Sequence, residues 1–316
     1  MSKKSRKNHE NNEIYIHDLD SYAVGMHNCL TYPLDESLSQ GVKTRQTSLR
    51  PAKSINTAFQ LVAVLFQLQS LQQFGGVSCS HLDWTMVPYV RMSFYKHFTN
   101  KYMHQRANEL KIDLLNLSED ERDNFVNKCR LEFNGKYGIG DETFEIGDFS
   151  MKCINFHIDD EKIKNINEEW YNATLDDTRN ELDQAVEGMY HNLNSLQSRS
   201  GCQLPFTSIN YGTCTLPEGR MVIKSVLENS IKGVGYHHLT PIFPCGIFQL
   251  MKGVNRKKGE PNYDLYQLAL KSTSLRIYPN YANVDWSVNK GYDRNNPRTY
   301  MATMGKRKLQ LIAKIS

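Results

Sequence analysis

The chain has 316 residues and a mass of 36.5 kDa, which is enough for one large domain or two smaller ones. Apolar residues make up 40% of the sequence and 17 residues are tyrosine, a composition typical of a folded globular protein. Lysine and arginine total 38 against 34 aspartate and glutamate, and the resulting net charge of +4 is too small to indicate a nucleic-acid-binding protein.

The N-terminus and the cysteines both bear on localisation. Residues 1–12 are polar and basic and lack the apolar stretch of a signal peptide, so we expect a disordered N-terminus. The seven cysteines are dispersed and include no Cys-x-x-Cys pair, which disfavours both a disulfide framework and a zinc site. We therefore predict a cytoplasmic protein without a metal ion in this chain.

Two short strands are predicted early in the chain, at 13–19 and 26–32. The first ends in His17, Asp18 and Asp20, a group suited to metal binding or acid–base chemistry. A strand-end turn capped by the aspartates is the simpler interpretation, because no second histidine stands at ligand spacing. Cys29 lies in the second predicted strand, where a lone cysteine usually acts as a small hydrophobic residue.

The strongest prediction is a helix from 54 to 74, a stretch without glycine or proline. Ser54 is a suitable N-cap, and Gly75 and Gly76 supply the positive-φ residues that often end helices. Apolar side chains leave almost no charged face, so we expect this helix to be buried nearly all round, in a core or at a subunit interface. Its glutamines argue against a membrane span, because their amides are costly in lipid.

Basic and amide side chains at this helix raise the question of a ligand. Arg50 and Lys53 precede its first turn, where free N–H groups and the helix dipole favour an anion such as phosphate. Gln60 and Gln67 share one face and need partners if they are buried. Many helices begin with a basic residue, and hydrogen bonds between helices also satisfy amides, so both interpretations stay open.

The rest of the chain alternates between predicted helices and strands. A helix at 86–109 has its apolar residues at i, i+4 spacing and Lys96 on its polar side, and Ser118 opens a capping box for a helix at 118–133. The glycine-rich stretch 134–147 lacks a phosphate-binding spacing and is predicted to be a loop. Helices at 178–199, 217–232 and 262–275 alternate with strands at 204–211 and 242–251. This order predicts an α/β fold with parallel strands.

Several runs of the sequence resemble a single family of enzymes. They are YIHDLDSYAVGMHNCL, RPAKSINTAFQLVAVLFQLQSLQQFGGVSCSHLDW, QLPFTSINYG, IFPCGIFQLMKGVNRKKGEPNYDLYQLALKS and YMATMG. From about Ile14 to Gly305 their order and spacing resemble the anaerobic (class III) ribonucleoside-triphosphate reductases, which are glycyl-radical enzymes. The resemblance implies part of a ten-stranded α/β barrel of the glycyl-radical enzyme and ribonucleotide reductase type over residues 13–305, with an unrelated tail at 306–316.

The resemblance also implies a reaction, the reduction of ribonucleoside triphosphates to deoxyribonucleoside triphosphates. In the family a glycyl radical generates a thiyl radical on a barrel cysteine, and a second cysteine on an early strand assists loss of the 2′ hydroxyl. The HNC run matches Cys29 to that second cysteine. The thiyl cysteine belongs to a Met-Gly-Cys-Arg run, which here reads Met304-Gly305-Lys306-Arg307.

Lysine cannot form a thiyl radical, so we expect an incomplete copy that is inactive alone. The alternative is a non-catalytic fragment that binds deoxynucleotides or dimerises. A different glycyl-radical enzyme, such as a formate-lyase relative, is disfavoured by the HDLD, HNC and KSI runs. The family's glycyl radical, its reductant formate and its C-terminal zinc all fall outside the matched region, so no cofactor is expected in this chain.

The family resemblance implies several partners. Its members form homodimers that bind deoxynucleotide or ATP effectors at an interface built partly from the central helix. This implies phosphate contacts by Lys53 and Lys96, with Arg50 and Gln60 as weaker candidates, whereas the alternative leaves all four as solvated or interface side chains. The other implied partners are a ribonucleoside triphosphate substrate and a radical-SAM activating enzyme. Neither a nucleic acid nor a membrane is expected.

Overall fold

The computed structural model describes residues 1–16, 19, 28–44, 48–198, 202–286 and 291–303. The predicted group of His17, Asp18 and Asp20 lies outside these residues, as does the 304–307 run. The N-terminal residues that we expected to be disordered include helix α1 (Lys3–Glu10), which has no buried residue. Residues 13–16 form no strand. No helix in the described ranges combines the length and the apolar character needed to cross a membrane.

A parallel sheet forms the centre of the fold. The strands are β1 (Leu30–Thr31), β2 (Val42–Lys43), β3 (Ser48–Leu49), β4 (Val77–Cys79), β5 (Asp141–Ile146), β6 (Phe149–Ile154), β7 (Thr207–Tyr211), β8 (Cys245–Leu250) and β9 (Asn280–Asn283). Within the described residues, β1-β4-β7-β8-β9 make a five-stranded sheet in that order, and each neighbouring pair is parallel. The predicted α/β fold with parallel strands is confirmed.

Helices cover one face of this sheet. They follow as α2 (Leu34–Gln40), α3 (Ile55–Ser70), α4 (Leu82–Glu109), α5 (Glu119–Tyr137), α6 (Glu161–Ile166), α7 (Glu168–Ser195), α8 (Pro217–Lys232) and α9 (Tyr263–Arg276). Val77, Ile209 and Phe248 of the sheet are fully buried in one cluster with apolar residues of α3, α4, α7, α8 and α9. Full burial of one such side chain contributes about 1.5–3 kcal/mol, so this cluster is the main stabilising core.

Helix α3 corresponds to the helix predicted at 54–74, but it ends at a different residue. Ser54 caps it as predicted, because its Oγ accepts a hydrogen bond from the Thr57 N–H at 3.3 Å. The helix ends at Ser70 rather than at 74, and neither Gly75 nor Gly76 has a positive φ. It is also not buried all round, since Leu68 is 36% exposed on the side away from the core.

Several other boundaries differ from the sequence prediction. Helices α4 and α7 begin earlier than predicted, at Leu82 and Glu168. The stretch 134–147, predicted to be a loop, contains the end of α5 and strand β5, which forms an antiparallel hairpin with β6. A second core of aromatic residues lies beside this hairpin and joins α4, α5 and α7; it includes Phe94, Phe98, Tyr102, Phe133 and Phe156. By contrast, α8 has the predicted bounds.

Candidate functional site

The sheet face opposite the helices carries polar side chains. Side chains alternate along a strand, so Ser208 and Asn210 on β7 and Gln249 on β8 lie on the side away from the apolar core. All three are buried and therefore need partners. Asn210 Nδ2 donates to the Cys79 carbonyl at 2.7 Å, and Gln249 Nε2 donates to the Ser80 carbonyl at 3.0 Å. We call these three side chains the polar face.

Residues 300–303, which we call the crossing segment, pass over the polar face. Asn210 Nδ2 donates to the Thr303 carbonyl at 3.3 Å, and Asn210 Oδ1 accepts from the Thr303 N–H at 3.2 Å. Ser208 Oγ donates to the same carbonyl at 3.3 Å, and Gln249 Nε2 donates to the Met301 carbonyl at 3.3 Å. The polar face is thus hydrogen-bonded to the backbone that directly precedes Met304.

The loop after β7 is fixed by a buried carboxylate of α4. Asp83 Oδ2 accepts hydrogen bonds from the N–H groups of Gly212, Thr213 and Cys214, each at 2.9 Å. Burial raises the pKa of the Asp83 carboxyl, and the hydrogen bonds from the backbone act against that rise. This arrangement holds the C-terminal end of β7, and with it Asn210, against α4.

Ser80, His81 and Asp35 form a buried hydrogen-bonded chain where β4 ends. Ser80 Oγ lies 2.5 Å from His81 Nδ1, and His81 Nε2 lies 3.2 Å from Asp35 Oδ2. Burial favours the neutral form of Asp35, but the hydrogen bond with His81 and the charges of His81 and Arg298 outweigh it. The pKa of the Asp35 carboxyl therefore lies below its usual value. Asp35 is ionised at neutral pH, and it belongs to a network that reaches Arg298.

Cys29 lies directly before β1 and is partly exposed. Its Sγ lies 3.6 Å from Asn28 Oδ1, and the N–H of Leu30 donates to the Gly76 carbonyl at 3.2 Å. A Cβ on Gly75 would lie 1.9 Å from the Asn28 carbonyl oxygen and 2.3 Å from Cys29 Sγ. Gly75, predicted to end the helix, is instead required because the backbone around Cys29 approaches it closely.

Two other cysteines near the sheet are less accessible than Cys29. Cys79 is 2% exposed and Cys214 is fully buried. Burial raises the pKa of Cys79 to about 12 and raises that of Cys214 well above its usual value, so both remain thiols at neutral pH. All seven cysteines lie in described residues, and none is in a disulfide.

The side chains predicted to contact an effector are all exposed: Arg50, Lys53, Gln60 and Lys96. Lys53 directly precedes the N-cap of α3. The first N–H of α3, that of Ile55, donates to Ser93 Oγ of α4 at 3.0 Å, and Lys96 follows Ser93 by about one helical turn. The structure therefore brings Lys53 and Lys96 to the same junction of α3 and α4.

The N–H groups at the start of α3 already have acceptors. The N–H of Asn56 donates to Glu181 Oε1 of α7 at 3.5 Å, and Glu181 Oε2 lies 2.7 Å from His97 Nε2. Burial favours neutral Glu181, but the hydrogen bond and the charge of His97 lower its pKa below the usual value. The prediction of free N–H groups for a phosphate is wrong, because a carboxylate of the chain already occupies this helix start.

The polar face and the network of Asp35, His81 and Arg298 were not predicted from the sequence. One signal was available, since Asn210 and Gln249 are amides inside strands that are otherwise buried. Nothing in the sequence connects Asp35 with Arg298, which are remote along the chain. Within the described ranges, no group of three or more His, Cys, Asp or Glu side chains is placed to hold a metal ion.

The comparisons with known proteins all point to the same family. A family model described as anaerobic ribonucleoside-triphosphate reductase matches residues 1–310. The enzyme of that name from Haemophilus influenzae is 29% identical over 282 residues, which cover 89% of this chain and 31% of the relative. The one from Enterobacteria phage T4 is 28% identical over 274 residues, covering 86% of this chain and 35% of the relative. The chain thus spans about a third of the length of these curated relatives.

Solved structures resemble this fold as well. The anaerobic ribonucleotide reductase from Thermotoga maritima in complex with dATP and CTP matches with a TM-score of 0.50 and 14% identity, over 90% of this chain and 38% of that chain. The structure of the Thermotoga maritima enzyme with citrate in the active site gives a TM-score of 0.50 and the same 14% identity. At this identity the likeness concerns the fold alone, and it agrees with a partial barrel of the ribonucleotide reductase type.

Proposed function

The chain belongs to the anaerobic ribonucleoside-triphosphate reductase family, and we propose that it forms part of a barrel that binds ribonucleoside triphosphates. The polar face is the observation that carries this proposal. Ser208, Asn210 and Gln249 place hydroxyl and amide groups in the middle of a parallel sheet, where the backbone of Met301 and Thr303 uses them in this structure. Such groups both donate and accept hydrogen bonds, as the hydroxyls of a ribose require.

The proposed reaction is reduction of the ribose 2′ position to give a deoxyribonucleotide. Cys29 takes the role of the cysteine that assists loss of the 2′ hydroxyl, and its partial exposure supports this choice over the buried Cys79 and Cys214. A radical performs the hard step, while the residues of the chain position the substrate. Lys306 stands where the family has its hydrogen-abstracting cysteine, so we propose that this chain does not complete the reaction alone.

The second candidate function is a nucleotide-binding fragment without catalysis. Lys306 favours it, because the side chain cannot form a thiyl radical. The junction of α3 and α4 favours it too, since Lys53 and Lys96 are exposed there and are able to contact the phosphates of a deoxynucleotide or ATP effector. Under this candidate the chain binds nucleotides and assembles, and a complete relative performs the reduction.

We also propose a homodimer through the outer side of α3. Leu68 and Leu71 are 36% and 56% exposed there, and Val64 of the same side is only partly buried. This apolar stripe supports the proposal, because contiguous exposed apolar side chains are often covered by a partner. Sedimentation is expected to show a dimer that Leu68→Asp dissociates, and a wild-type monomer would contradict the assignment.

The proposal also covers the location of the chain in the cell and its activating partner. A cytoplasmic location is supported by seven cysteines that form no disulfide. A radical-SAM activating enzyme is the partner expected for a reductase of this family, and a full-length relative is the protein on which it would act.

Calorimetric titration and an anaerobic assay together test these candidates. The chain is titrated with CTP, ATP and dATP and is then assayed with an activating enzyme, formate and each ribonucleoside triphosphate. We expect binding without turnover, with Asn210→Leu losing ribonucleotide affinity and Cys29→Ser retaining it. Turnover above background would refute the inactivity assigned to Lys306. Absence of binding to any nucleotide would refute both candidate functions.

A further inference from the structure

Arg298 joins the start of the crossing segment to two other parts of the fold. It lies in a short 3-10 helix directly before that segment. Its Nε is 3.4 Å from Asp35 Oδ2, one terminal nitrogen is 3.5 Å from Asp148 Oδ1, and the other contacts the carboxylate of Glu36. The guanidinium also lies over the ring of Phe149, 5.3 Å from its centroid. Helix α2 and the β5-β6 hairpin are thus connected through one side chain.

Burial decides which of these contacts matters most. The side chain of Asp35 is 1% exposed and that of Arg298 is 21% exposed, whereas those of Glu36 and Asp148 are 42% and 74% exposed. Exposed ion pairs are weak, but removing one partner of a buried pair leaves a charge without compensation. Without Arg298, Asp35 keeps only its contact with His81 and the N–H of Glu36 at 2.9 Å. The pair of Arg298 with Asp35 is therefore the principal attachment.

Beyond Tyr300, which is 4% exposed in an apolar cluster with Met251 and Val284, the crossing segment is held less firmly. Its contacts with the polar face are hydrogen bonds of 3.2–3.3 Å, at the long end of the usual range. The chain just before Arg298 packs closely against the hairpin turn, where a Cβ on Gly147 would lie 1.7 Å from Asn296 Oδ1. Its course is therefore set mainly at its start, where the charges and the close packing are.

We propose that Arg298 is a latch that positions the crossing segment on the polar face. When the pair with Asp35 is intact, the backbone at Met301 and Thr303 uses the amides of Gln249 and Asn210. When the pair is broken, the segment leaves these amides and the polar face opens to a ligand. The joining of the segment to the sheet does not depend on the proposed function, and only the binding of a ligand at the opened polar face rests on it.

Hydrogen–deuterium exchange of the full chain tests the latch. Arg298→Met is expected to speed exchange of the Thr303 amide, which donates to Asn210, by at least about tenfold, since it leaves the buried carboxylate of Asp35 without one of its partners. The amides of β7 and β8 are expected to keep their protection, which shows that the fold is intact. Arg298→Lys retains the charge but loses the forked contacts and the stacking on Phe149, so it is expected to restore the protection only in part. Arg179→Met, which removes an exposed arginine of α7, is the matched control without an effect.

Unchanged exchange at Thr303 in a folded Arg298→Met variant would overturn the proposal. If that variant does not fold, Asp35→Asn decides, because it keeps the shape of the side chain and removes the charge that faces Arg298. Faster exchange confined to the crossing segment in Asp35→Asn then supports the latch. Wild-type exchange at Thr303 in that variant overturns it.

Discussion

Glu181 offers a direct test of whether a nucleotide phosphate binds at the start of α3. Its carboxylate accepts the N–H of Asn56 at 3.5 Å and is held by His97 at 2.7 Å, at the junction that Lys53 and Lys96 share. A triphosphate bound by the two lysines is repelled by this carboxylate. Glu181→Gln keeps the hydrogen-bonding shape and removes the charge, so it is expected to tighten effector binding.

The size of the effect follows from the electrostatics of the junction. Two unit charges about 8 Å apart interact by about 0.5 kcal/mol in water and about 2 kcal/mol at an effective dielectric constant of about 20. The side chain of Glu181 is 12% exposed, which favours the upper part of that range. We therefore expect Glu181→Gln to tighten binding by about 2- to 30-fold. Replacing exposed Lys53 and Lys96 together by alanine is expected to weaken binding by about 2 kcal/mol, near 30-fold.

Calorimetric titration of the full chain with dATP measures both effects. Low and high salt are compared, because attraction between exposed charges and phosphate is screened over about 8–10 Å at physiological ionic strength. Lys224→Ala removes an exposed lysine of α8 and is the matched control with unchanged affinity. If Glu181→Gln and the double lysine variant both bind dATP like wild type, the junction is not a phosphate site and its lysines are solvated or interface residues.

Three further predictions follow from buried groups. Arg91→Met leaves buried Glu218 without its partner at 2.8 Å and is expected to lower the free energy of unfolding in urea by about 3–5 kcal/mol. At about pH 8, iodoacetamide is expected to modify Cys29 well before Cys79, whose pKa is raised to about 12, as mass spectrometry of peptides will show. Because the pKa of Asp35 is lowered by folding, its carboxylate contributes stability that is complete above about pH 4 and is lost as pH falls through the folded pKa. Asp35→Asn is therefore expected to make the free energy of unfolding less dependent on pH at acidic pH.

Each of these predictions has a clear contrary result. A loss below about 1 kcal/mol for Arg91→Met would mean that the pair of Arg91 and Glu218 is no stronger than an exposed ion pair. Equal modification rates for Cys29 and Cys79 would show that β4 opens readily. An identical acid profile for Asp35→Asn, followed by the urea midpoint at several pH values, would show that Asp35 does not carry the acid-sensitive stability.

Capping and turn residues in the sequence correctly predict the helix ends that they determine. Helix α8 has the predicted bounds because Pro217 is preorganised for the first turn and Gly233, with φ of 77°, continues the chain past the last turn. The capping box at Ser118 is also confirmed, with both of its hydrogen bonds present. The β5-β6 hairpin was missed because its strands pair with each other and pack against α4, and a glycine-rich stretch gives no local sign of that packing.

The candidate site is less predictable, because its contacts join residues that are distant in the sequence. Cys29 was identified only through the family resemblance, and its role stays a prediction. Gly75 was predicted to end the helix, but the structure explains it by a close backbone approach, since both situations select glycine. Predicting the polar face requires knowing which strands are neighbours in the sheet. That depends on the pairing of β7 with β8, which the sequence of neither strand reveals by itself.

The start of α3 shows what the sequence around a helix N-terminus can and cannot predict. A helix N-terminus attracts a negative group, and the structure does place one there, in the carboxylate of Glu181. The sequence cannot say whether that group comes from a ligand or from another helix, because α7 reaches the junction only after the chain has folded. An effector phosphate at this junction must therefore rely on Lys53 and Lys96, and it must bind against the charge of Glu181. Salt-sensitive binding that tightens when this charge is removed is the specific consequence of that arrangement.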